Sequence, residues 1–345
     1  MISKVVNVCI NANDHNLLAV FLRRVAIPKS LHPLIRVGSR VTINARRMEI
    51  LDTADVYTKE SVDSSDFGKS LVIVPPKSYM TAGFIIGSIC RIASARITRI
   101  RMLKMDRRHV SDLLEDTNPS EDDFEFLIAD VVTVIEFEHI TETEIQRDLG
   151  IVENEKNARV GPFFLGKLMS ESHSSTILAS EFPRSPEKPM DFLFDNKTNC
   201  IAQTAIMNFC ALVIVKPHAF QDYVGPIVQL LLDSGFEISS METRFLDLPF
   251  VERFLEGYAQ ALSCSVLHET CLELSSSTCL VLQVRSENVV PKLRELCGPM
   301  DPEIARVIAP NTIRARFGID KIRNAVYCTD MEEDGIRDCK LMFGQ

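Results

Sequence analysis

Three side chains that commonly bind metal ions recur at helical spacing in the second half of the sequence. Cys264, His268 and Cys271 stand at positions i, i+4 and i+7, and Cys279 follows beyond a turn. Thiolate and imidazole groups are the usual ligands of tetrahedral zinc, so this spacing permits a zinc-binding helix face. Cysteines on an amphipathic helix are, however, more often small core residues. We therefore expect these cysteines to be structural, and we expect no metal site.

Glycine-rich phosphate-binding loops are missing from the sequence. No GxxxxGK or GxGxxG motif follows a strand-like run anywhere in the chain. Those motifs place backbone N–H groups and a helix N-terminus around phosphates, so their absence excludes the P-loop and Rossmann classes.

Two charged stretches are interpreted as solvated. The acidic stretch Asp112–Glu125 contains Asn118-Pro119, which favours a loop over a metal site. The second stretch is basic and lies on a predicted strand, where we expect a solvated sheet edge; contact with an acidic filament surface is the alternative. Its members are Arg96, Arg99, Arg101 and Lys104.

The charge balance bears on the partners and location of the chain. The net charge of −9 argues against general nucleic-acid binding. Residues 1–60 nevertheless hold nine Lys/Arg against five Asp/Glu, which suggests docking to an acidic partner unless the bias arose by chance. Ten cysteines without a CxxC pair favour a reduced, cytoplasmic chain. No apolar run reaches about 18 residues and the N-terminus lacks a signal-peptide core, so we expect no membrane span and no secretion signal.

An internal repeat organises the elements that must position any site. The same LVIV run occurs at 71–74 and 212–215, as expected of strands buried on both faces. Each run precedes a predicted loop containing a glycine (Gly83, Gly225) and an amphipathic helix. A second strand is predicted at 97–105 and 236–246, and a third at 131–137 and 279–284.

This pattern predicts an α+β fold made of two similar domains and a short β-rich N-terminal unit. We place the units at 1–62, 66–183 and 206–345, with a proline-rich linker at 184–205. The first unit contains strand-like runs at 4–10, 41–44 and 48–51.

Four motifs in the second copy resemble the nucleoside diphosphate kinases in order and spacing. They are Val213–His218, Cys297–Pro302, Thr312–Gly318 and Arg323–Asp330. The residues 37–41 and 50–58 resemble the end of a DM-ten domain, a ciliary domain of pleckstrin-like fold that precedes two kinase-like domains in one branch of this family. The resemblance implies that each domain is a ferredoxin-like sandwich with an antiparallel sheet.

The resemblance also implies roles for particular residues of the second copy. In the family, a histidine takes the γ-phosphate of a nucleoside triphosphate and passes it to a diphosphate, with Mg²⁺ bridging the phosphates. The nucleotide-contacting positions of the motifs correspond to Lys216, Arg294, Met300, Arg314 and Asn324. Met300 stands where the family has threonine.

The nucleophile of the family is replaced in this sequence. Its Asn-x-x-His motif becomes Asn324-Ala325-Val326-Tyr327. A phenol has an ordinary pKa of about 10 and is a poor nucleophile at neutral pH without an adjacent base. The family tyrosine that packs near the lysine corresponds to Leu255, with Tyr258 one turn away.

The first copy departs from the family in another way. Pro75 stands in place of the lysine. Arg147 and Arg159 fall near the two arginine positions. His173 falls near the nucleophile position as a degenerate counterpart, although a lone loop histidine is more often solvated than catalytic.

We therefore expect a kinase-like protein without an intact catalytic residue. The resemblance implies a structural component of ciliary or flagellar microtubules, with tubulin, other axonemal proteins or a γ-tubulin complex as partners and the axoneme or basal body as location. An active nucleoside diphosphate kinase and a nucleotide sensor that binds ATP or another nucleotide with Mg²⁺ remain the alternatives. No nucleic acid and no membrane are expected as partners.

Overall fold

The structure is a computed structural model of the 345-residue chain. It describes residues 5–11, 18–26, 40–43, 46–49, 68–91, 95–114, 121–139, 151–153, 159–160, 163–169, 174–180, 193–194, 204–260 and 262–344. The chain divides into two compact units, of which one is Met1–Phe67 with His139–Glu142 and the other is the remainder. Among the described residues, no helix is both long enough and apolar enough to cross a bilayer.

The N-terminal unit is β-rich, as predicted. Strands β1 (Val5–Asn11) and β2 (Leu18–Ala26) pair antiparallel, and β3 (Arg40–Ile43) pairs antiparallel with β4 (Arg46–Glu49). Strand β2 was not predicted from the sequence.

The first repeat of the larger unit has the ferredoxin-like strand order. Its core strands run β6, β7, β5, β11 across the sheet, so the second, third, first and fourth strands are neighbours in that order. Strands β8 to β10 extend the sheet beyond β11. The elements are β5 (Gly68–Val74), α1 (Ala82–Arg91), β6 (Arg96–Leu103), α2 (Arg107–Leu114), α3 (Glu121–Ile128), β7 (Val132–His139), β8 (Ile151–Glu153), β9 (Arg159–Val160), β10 (Phe163–Met169) and β11 (Ser174–Ser180).

The second repeat has the same ferredoxin-like strand order, running in the opposite direction across the sheet. Its strands run β15, β12, β14, β13, and the neighbouring pairs are antiparallel. The elements are β12 (Cys210–Val215), α4 (Pro217–Asp233), β13 (Glu237–Phe245), α5 (Leu248–Phe254), α6 (Cys264–Leu274), β14 (Thr278–Arg285), α7 (Val289–Cys297), α8 (Pro302–Ile308), α9 (Ile313–Phe317), β15 (Val326–Cys328) and α10 (Asp334–Phe343).

Burial on both faces explains the apolar run at 71–74 and 212–215 in the first strand of each repeat. In β12, Ala211, Val213 and Val215 belong to the core under α4 and α7. The alternate residues Leu212 and Ile214 belong to a second core that includes residues of α5, α6 and α10. Successive side chains of a strand point to opposite faces, so a strand covered on both sides favours apolar residues at successive positions. The predicted α+β fold with two antiparallel sandwiches is confirmed.

The two repeats share one sheet because β6 of the first pairs antiparallel with β13 of the second. Arg101 lies opposite Glu242 at this junction. The backbone N–H of Ile100 donates to Oγ1 of Thr243 over 3.1 Å. The hydroxyl of Tyr79 also crosses the junction, where it donates to the carbonyl of Ile238 and accepts from its N–H.

Helices α1 and α4 approach each other closely above this junction. A Cβ atom on Gly83 would lie 2.2 Å from the backbone nitrogen of Gln229, and one on Gly225 would lie 2.3 Å from that of Gly87. The prediction that Gly83 and Gly225 lie in loops before the helices is therefore wrong. Both lie inside helices, where the missing side chain allows backbone contact.

The prediction that the basic stripe forms a solvated edge is also wrong. Strand β6 has β7 on one side and β13 on the other, so it is an interior strand. Nε of Arg99 donates to Glu136 over 2.9 Å. Arg101 is buried and donates to the carbonyl of Leu193 over 3.3 Å.

The acidic stretch and the predicted linker also differ from the expectation in the residues that the structure describes. Asp112 and Glu121 are exposed but lie in α2 and α3, so the acidic stretch is not a continuous loop, although 115–120 lie outside the described residues.

Of the predicted linker 184–205, only 193–194 and 204–205 are described. Leu193 is buried with residues of α2 and β7, rather than exposed.

Candidate functional site

A cavity of about 660 Å³ opens in the second repeat between β15, α7 and the segments that flank α8 and α9. Its walls bring together all five positions predicted to contact nucleotide and the replaced nucleophile. These residues are Lys216, Arg294, Met300, Arg314, Asn324 and Tyr327. The remaining wall is largely apolar and includes Leu255, Tyr258, Pro299 and Val326.

Lys216 is placed by the end of the buried strand β12. Its backbone N–H donates to the carbonyl of Ala325, and Pro217 begins α4 directly afterwards. The side chain is buried, and Nζ donates to the carbonyl of Ile322 over 2.7 Å. Burial, together with the nearby positive charge of Arg314, lowers the pKa of Lys216 to about 7.

Arg314 and Asn324 are oriented by backbone carbonyl groups of the cavity wall. Nη1 of Arg314 donates to Gly298 over 2.8 Å, and Nδ2 of Asn324 donates to Met300 over 3.0 Å. Within the described structure, Nε of Arg314 and Oδ1 of Asn324 are buried and lack a hydrogen-bond partner. Unsatisfied buried polar atoms are costly, so these two atoms are available for hydrogen bonds to water, an ion or a ligand in the cavity.

Arg294 extends from the last turn of α7 at the cavity mouth. Its Nε lies 3.0 Å from Oδ1 of Asp330, and its Nη1 donates to the Asp330 carbonyl. Both side chains are about half exposed, with 55% and 44% of their surface accessible. An exposed ion pair of this kind is weak, so a phosphate can compete with Asp330 for the guanidinium group.

Tyr327 lies in β15 with its hydroxyl directed to a buried polar network. The hydroxyl donates to Oδ2 of Asp338 over 2.9 Å and lies 3.3 Å from the hydroxyl of Tyr258. Asp338 is fully buried and also accepts from the hydroxyl of Thr329. Burial, and then the charges and hydrogen bonds of its neighbours, raise the pKa of Tyr327 far above its ordinary value.

A histidine–carboxylate pair that the sequence motifs did not predict lies behind the cavity. Nδ1 of His218 lies 2.6 Å from Oε1 of Glu273, and Nε2 of His218 accepts from the N–H of Ala325 over 3.2 Å. Burial alone would raise the pKa of Glu273, but the hydrogen bond with His218 holds it below the usual value. Ala325 has a left-handed φ of 71°, so this pair supports a strained turn next to Asn324. The position of His218 directly after Lys216-Pro217 is the signal that could have found it.

The first repeat does not offer a matching set of described residues. Pro75 follows β5 at the position equivalent to Lys216, and Lys77 places its Nζ 5.8 Å from the ring centroid of Phe126. Arg147 and His173 lie outside the described residues, and Arg159 is described only as part of β9. The predicted roles of these three residues stay predictions.

The cysteine-rich helix face does not form a metal site in the structure. Cys264 is exposed, whereas Cys271 and Cys279 are buried in the same apolar core. Across the described part of the chain, no group of three or more His, Cys, Asp or Glu side chains could hold a metal ion.

Comparisons with known proteins agree with the motif pattern. The family model for nucleoside diphosphate kinase matches residues 210–345. Nucleoside diphosphate kinase homolog 7 of Rattus norvegicus is 30% identical over 89% of this chain and 78% of its own length. The nucleoside diphosphate kinase of Aquifex aeolicus is 34% identical over 38% of this chain and 92% of its own length. An Aquifex aeolicus nucleoside diphosphate kinase crystal structure covers 39% of this chain and 94% of its own, with 29% identity and a TM-score of 0.37.

Proposed function

The chain belongs to the nucleoside diphosphate kinase family, and we propose that it is a catalytically silent member with a structural role at ciliary or flagellar microtubules. The observation that carries the first part is the hydrogen bond from Tyr327 to the buried Asp338. The hydroxyl is the only polar atom of the side chain that replaces the family's histidine, and this hydrogen bond engages it.

Tyr327 is unsuited to the covalent step of this family. Proton transfer to Asp338 would leave a phenoxide beside a carboxylic acid in a buried site, and ionising both groups would place two negative charges in contact. The pKa of Tyr327 is raised because forming this buried charge is unfavourable. A nucleophile must carry an available electron pair, so a phenol held in its protonated form cannot attack the γ-phosphate efficiently.

The microtubule role is supported by the resemblance of residues 37–58 to a DM-ten domain and by the basic bias of residues 1–60. We propose tubulin, whose polymers have an acidic surface, as the direct partner, in an axonemal or γ-tubulin-containing assembly. Surface charges act over about 8–10 Å at physiological salt, so the basic segment would steer docking more than hold it. The location proposed is the cytoskeleton of the cilium or flagellum.

Microtubule cosedimentation of the full chain tests this role. We expect binding that weakens as salt is raised and that is lost when residues 1–62 are deleted. Charge reversal at Arg23, Arg24, Arg46 and Arg47 should weaken binding in a salt-dependent way, whereas reversal at the exposed Arg253 in α5 serves as a control. Binding unaffected by the deletion and by the reversals would contradict the proposal.

Nucleotide binding without turnover is a second candidate function, and the convergence of Lys216, Arg294, Arg314 and Asn324 on one cavity favours it. Magnesium would enter with the phosphates, because Mg²⁺ is usually held by one or two carboxylates together with substrate oxygens. Asp330 and Glu295 are the carboxylates that line the cavity. This candidate leaves the microtubule role intact and would make it responsive to nucleotide.

A further inference from the structure

Two cysteines at the ends of neighbouring elements meet beside the cavity. Cys297 is the last residue of α7, and Cys328 is the last residue of β15. Both are free thiols in the same buried core. Arg314 lies beside both of them, because its Nη1 donates to the carbonyl of Gly298, next to Cys297, and its Nη2 lies 3.6 Å from the Cys328 sulfur. A hydrogen bond between the two side chains shifts their pKa values in opposite directions. Cys328 lines the cavity of the nucleotide site proposed above, but neither cysteine is among the positions assigned to nucleotide contact. A disulfide needs its two sulfurs to come within about 2.05 Å, so oxidation would draw these side chains together.

The two thiols differ in their access to small molecules. Cys328 is 6% exposed and lines the cavity of about 660 Å³. Cys297 is completely buried and does not line it. A small reagent that enters the cavity therefore meets Cys328, while Cys297 is shielded from it.

The surroundings also polarise the pair. Nη2 of Arg314 lies 3.6 Å from the sulfur of Cys328. The hydrogen bond from Cys297 and then the charge of Arg314 lower the pKa of Cys328 to about 6, although burial opposes this. The pKa of Cys297 is raised by the same hydrogen bond and by burial. Because the thiolate is the reactive form of cysteine, Cys328, which lines the cavity and lies beside the Arg314 guanidinium, has the properties of the attacking sulfur. The shielded Cys297 has those of the resolving thiol.

We propose that Cys297 and Cys328 form an oxidation site in which hydrogen peroxide, entering through the cavity, converts the dithiol to a disulfide. The Cys328 thiolate attacks one peroxide oxygen, the O–O bond breaks, and hydroxide leaves with a proton from solvent as water. The sulfur of Cys297 then attacks the sulfenic sulfur of Cys328, and the sulfenic hydroxyl leaves as a second water with the Cys297 proton. Two thiols and one peroxide thus give one disulfide and two waters.

A second cysteine pair provides an internal control. Cys210 and Cys339 also hydrogen-bond to each other, and that contact lowers the pKa of Cys210 to about 7. Both are buried, and neither lines the cavity. If access through the cavity determines reactivity, this pair should resist oxidation despite its similar thiol contact.

The test treats the reduced, folded full chain with graded hydrogen peroxide, removes the peroxide, unfolds the protein in denaturant with N-ethylmaleimide to block the remaining thiols, and maps the peptides by mass spectrometry. We expect a Cys297–Cys328 cross-linked peptide and loss of maleimide labelling at both residues, while Cys210 and Cys339 stay labelled. Cys297→Ser should stop the reaction at a sulfenic acid on Cys328 that dimedone traps. Cys328→Ser should leave Cys297 labelled, and Cys339→Ser should leave the cross-link unchanged.

The wild-type measurement decides the proposal even if a serine variant fails to fold. Absence of the cross-link at a peroxide concentration that already oxidises the exposed Cys264 would overturn it. Equal oxidation of the Cys210–Cys339 pair would overturn the argument from cavity access. The readout needs no nucleotide, so it is independent of whether the second repeat binds one.

Discussion

The hydroxyl of Tyr327 donates a hydrogen bond to the buried carboxylate of Asp338 over 2.9 Å. The two residues are eleven positions apart, on β15 and α10, and Thr329 and Tyr258 complete their network. The phenol therefore serves as an anchor between a strand and a helix. A side chain fixed in this way stabilises the cavity wall, and this contact is the basis of the proposed catalytic silence.

Removing the buried charge of Lys216 should stabilise the fold. Lys216→Met should raise the free energy of unfolding at pH 6 by about 1–4 kcal/mol, because an ammonium group no longer has to be desolvated. The folded-state pKa of about 7 lies below the ordinary value of 10.5, so the unfolded chain binds more protons between these pH values. Wild-type stability should therefore rise with pH across this window, and the gain from the substitution should shrink.

Denaturant unfolding between pH 6 and pH 10 measures this effect. Lys340→Met, at an exposed position of α10, is the matched control and should show no such pH-dependent gain. A gain that stays constant with pH would show that the buried charge is not its cause.

The contact between α1 and α4 should not tolerate side chains. Gly225→Ala places a methyl group 2.3 Å from the backbone of Gly87, and Gly83→Ala places one 2.2 Å from that of Gln229. Overpacking of this kind usually costs about 1–3 kcal/mol, so either substitution should lower the thermal midpoint by several degrees. Gly257→Ala, where no atom lies within 4 Å, is the control and should leave the midpoint nearly unchanged. A normal midpoint in both variants would show that the helices are not in backbone contact.

The sequence was sufficient to predict the repeat and most of its strands. Residues 71–74 and 212–215 are fully apolar because each strand is buried on both faces, and such runs are visible without a structure. The five predicted nucleotide-contacting positions come together because β12, α7, α9 and β15 each deliver one motif to the same end of the sheet.

Contacts between the repeats and between distant polar residues could not be predicted in this way. The periodicity within one repeat does not reveal that β6 joins β13, so Arg99 and Arg101 were assigned to an edge. Gly83 and Gly225 were assigned to loops because the requirement for glycine comes from the backbone of another helix. His218 and Glu273 are 55 positions apart, and no spacing rule connects them.

Nucleotide binding, if it occurs in the second repeat, should depend on the charge of the cavity mouth. Arg294→Ala should weaken binding of ATP or ADP with Mg²⁺ by roughly tenfold or more, because a charge-assisted hydrogen bond contributes about 1.5–3 kcal/mol. Arg253→Ala, exposed on α5 outside the cavity, is the control and should leave the affinity unchanged. Isothermal calorimetry measures both, and absence of heat with the wild-type chain would remove the nucleotide-sensor candidate.

Binding of phosphate groups should also weaken with increasing pH. Lys216 loses its proton around pH 7 in the free protein, and a neutral amine attracts phosphate poorly. The dissociation constant for ADP should therefore rise between pH 6 and pH 8.5. A Lys216→Met variant should bind more weakly at pH 6 and show a flatter profile, whereas an unchanged slope would assign the pH dependence to another group.

Steady-state phosphoryl transfer from ATP to a nucleoside diphosphate by the full chain tests the central claim most directly. Losing a covalent nucleophile generally costs several orders of magnitude in rate, so wild-type protein and Tyr327→Phe should both show no turnover above background. Tyr327→His asks whether the cavity can still support autophosphorylation once an imidazole replaces the phenol. Turnover by the wild-type chain would contradict catalytic silence. If Tyr327→Phe abolishes it, the reaction belongs to the second repeat; if His173→Ala abolishes it, the reaction belongs to the first.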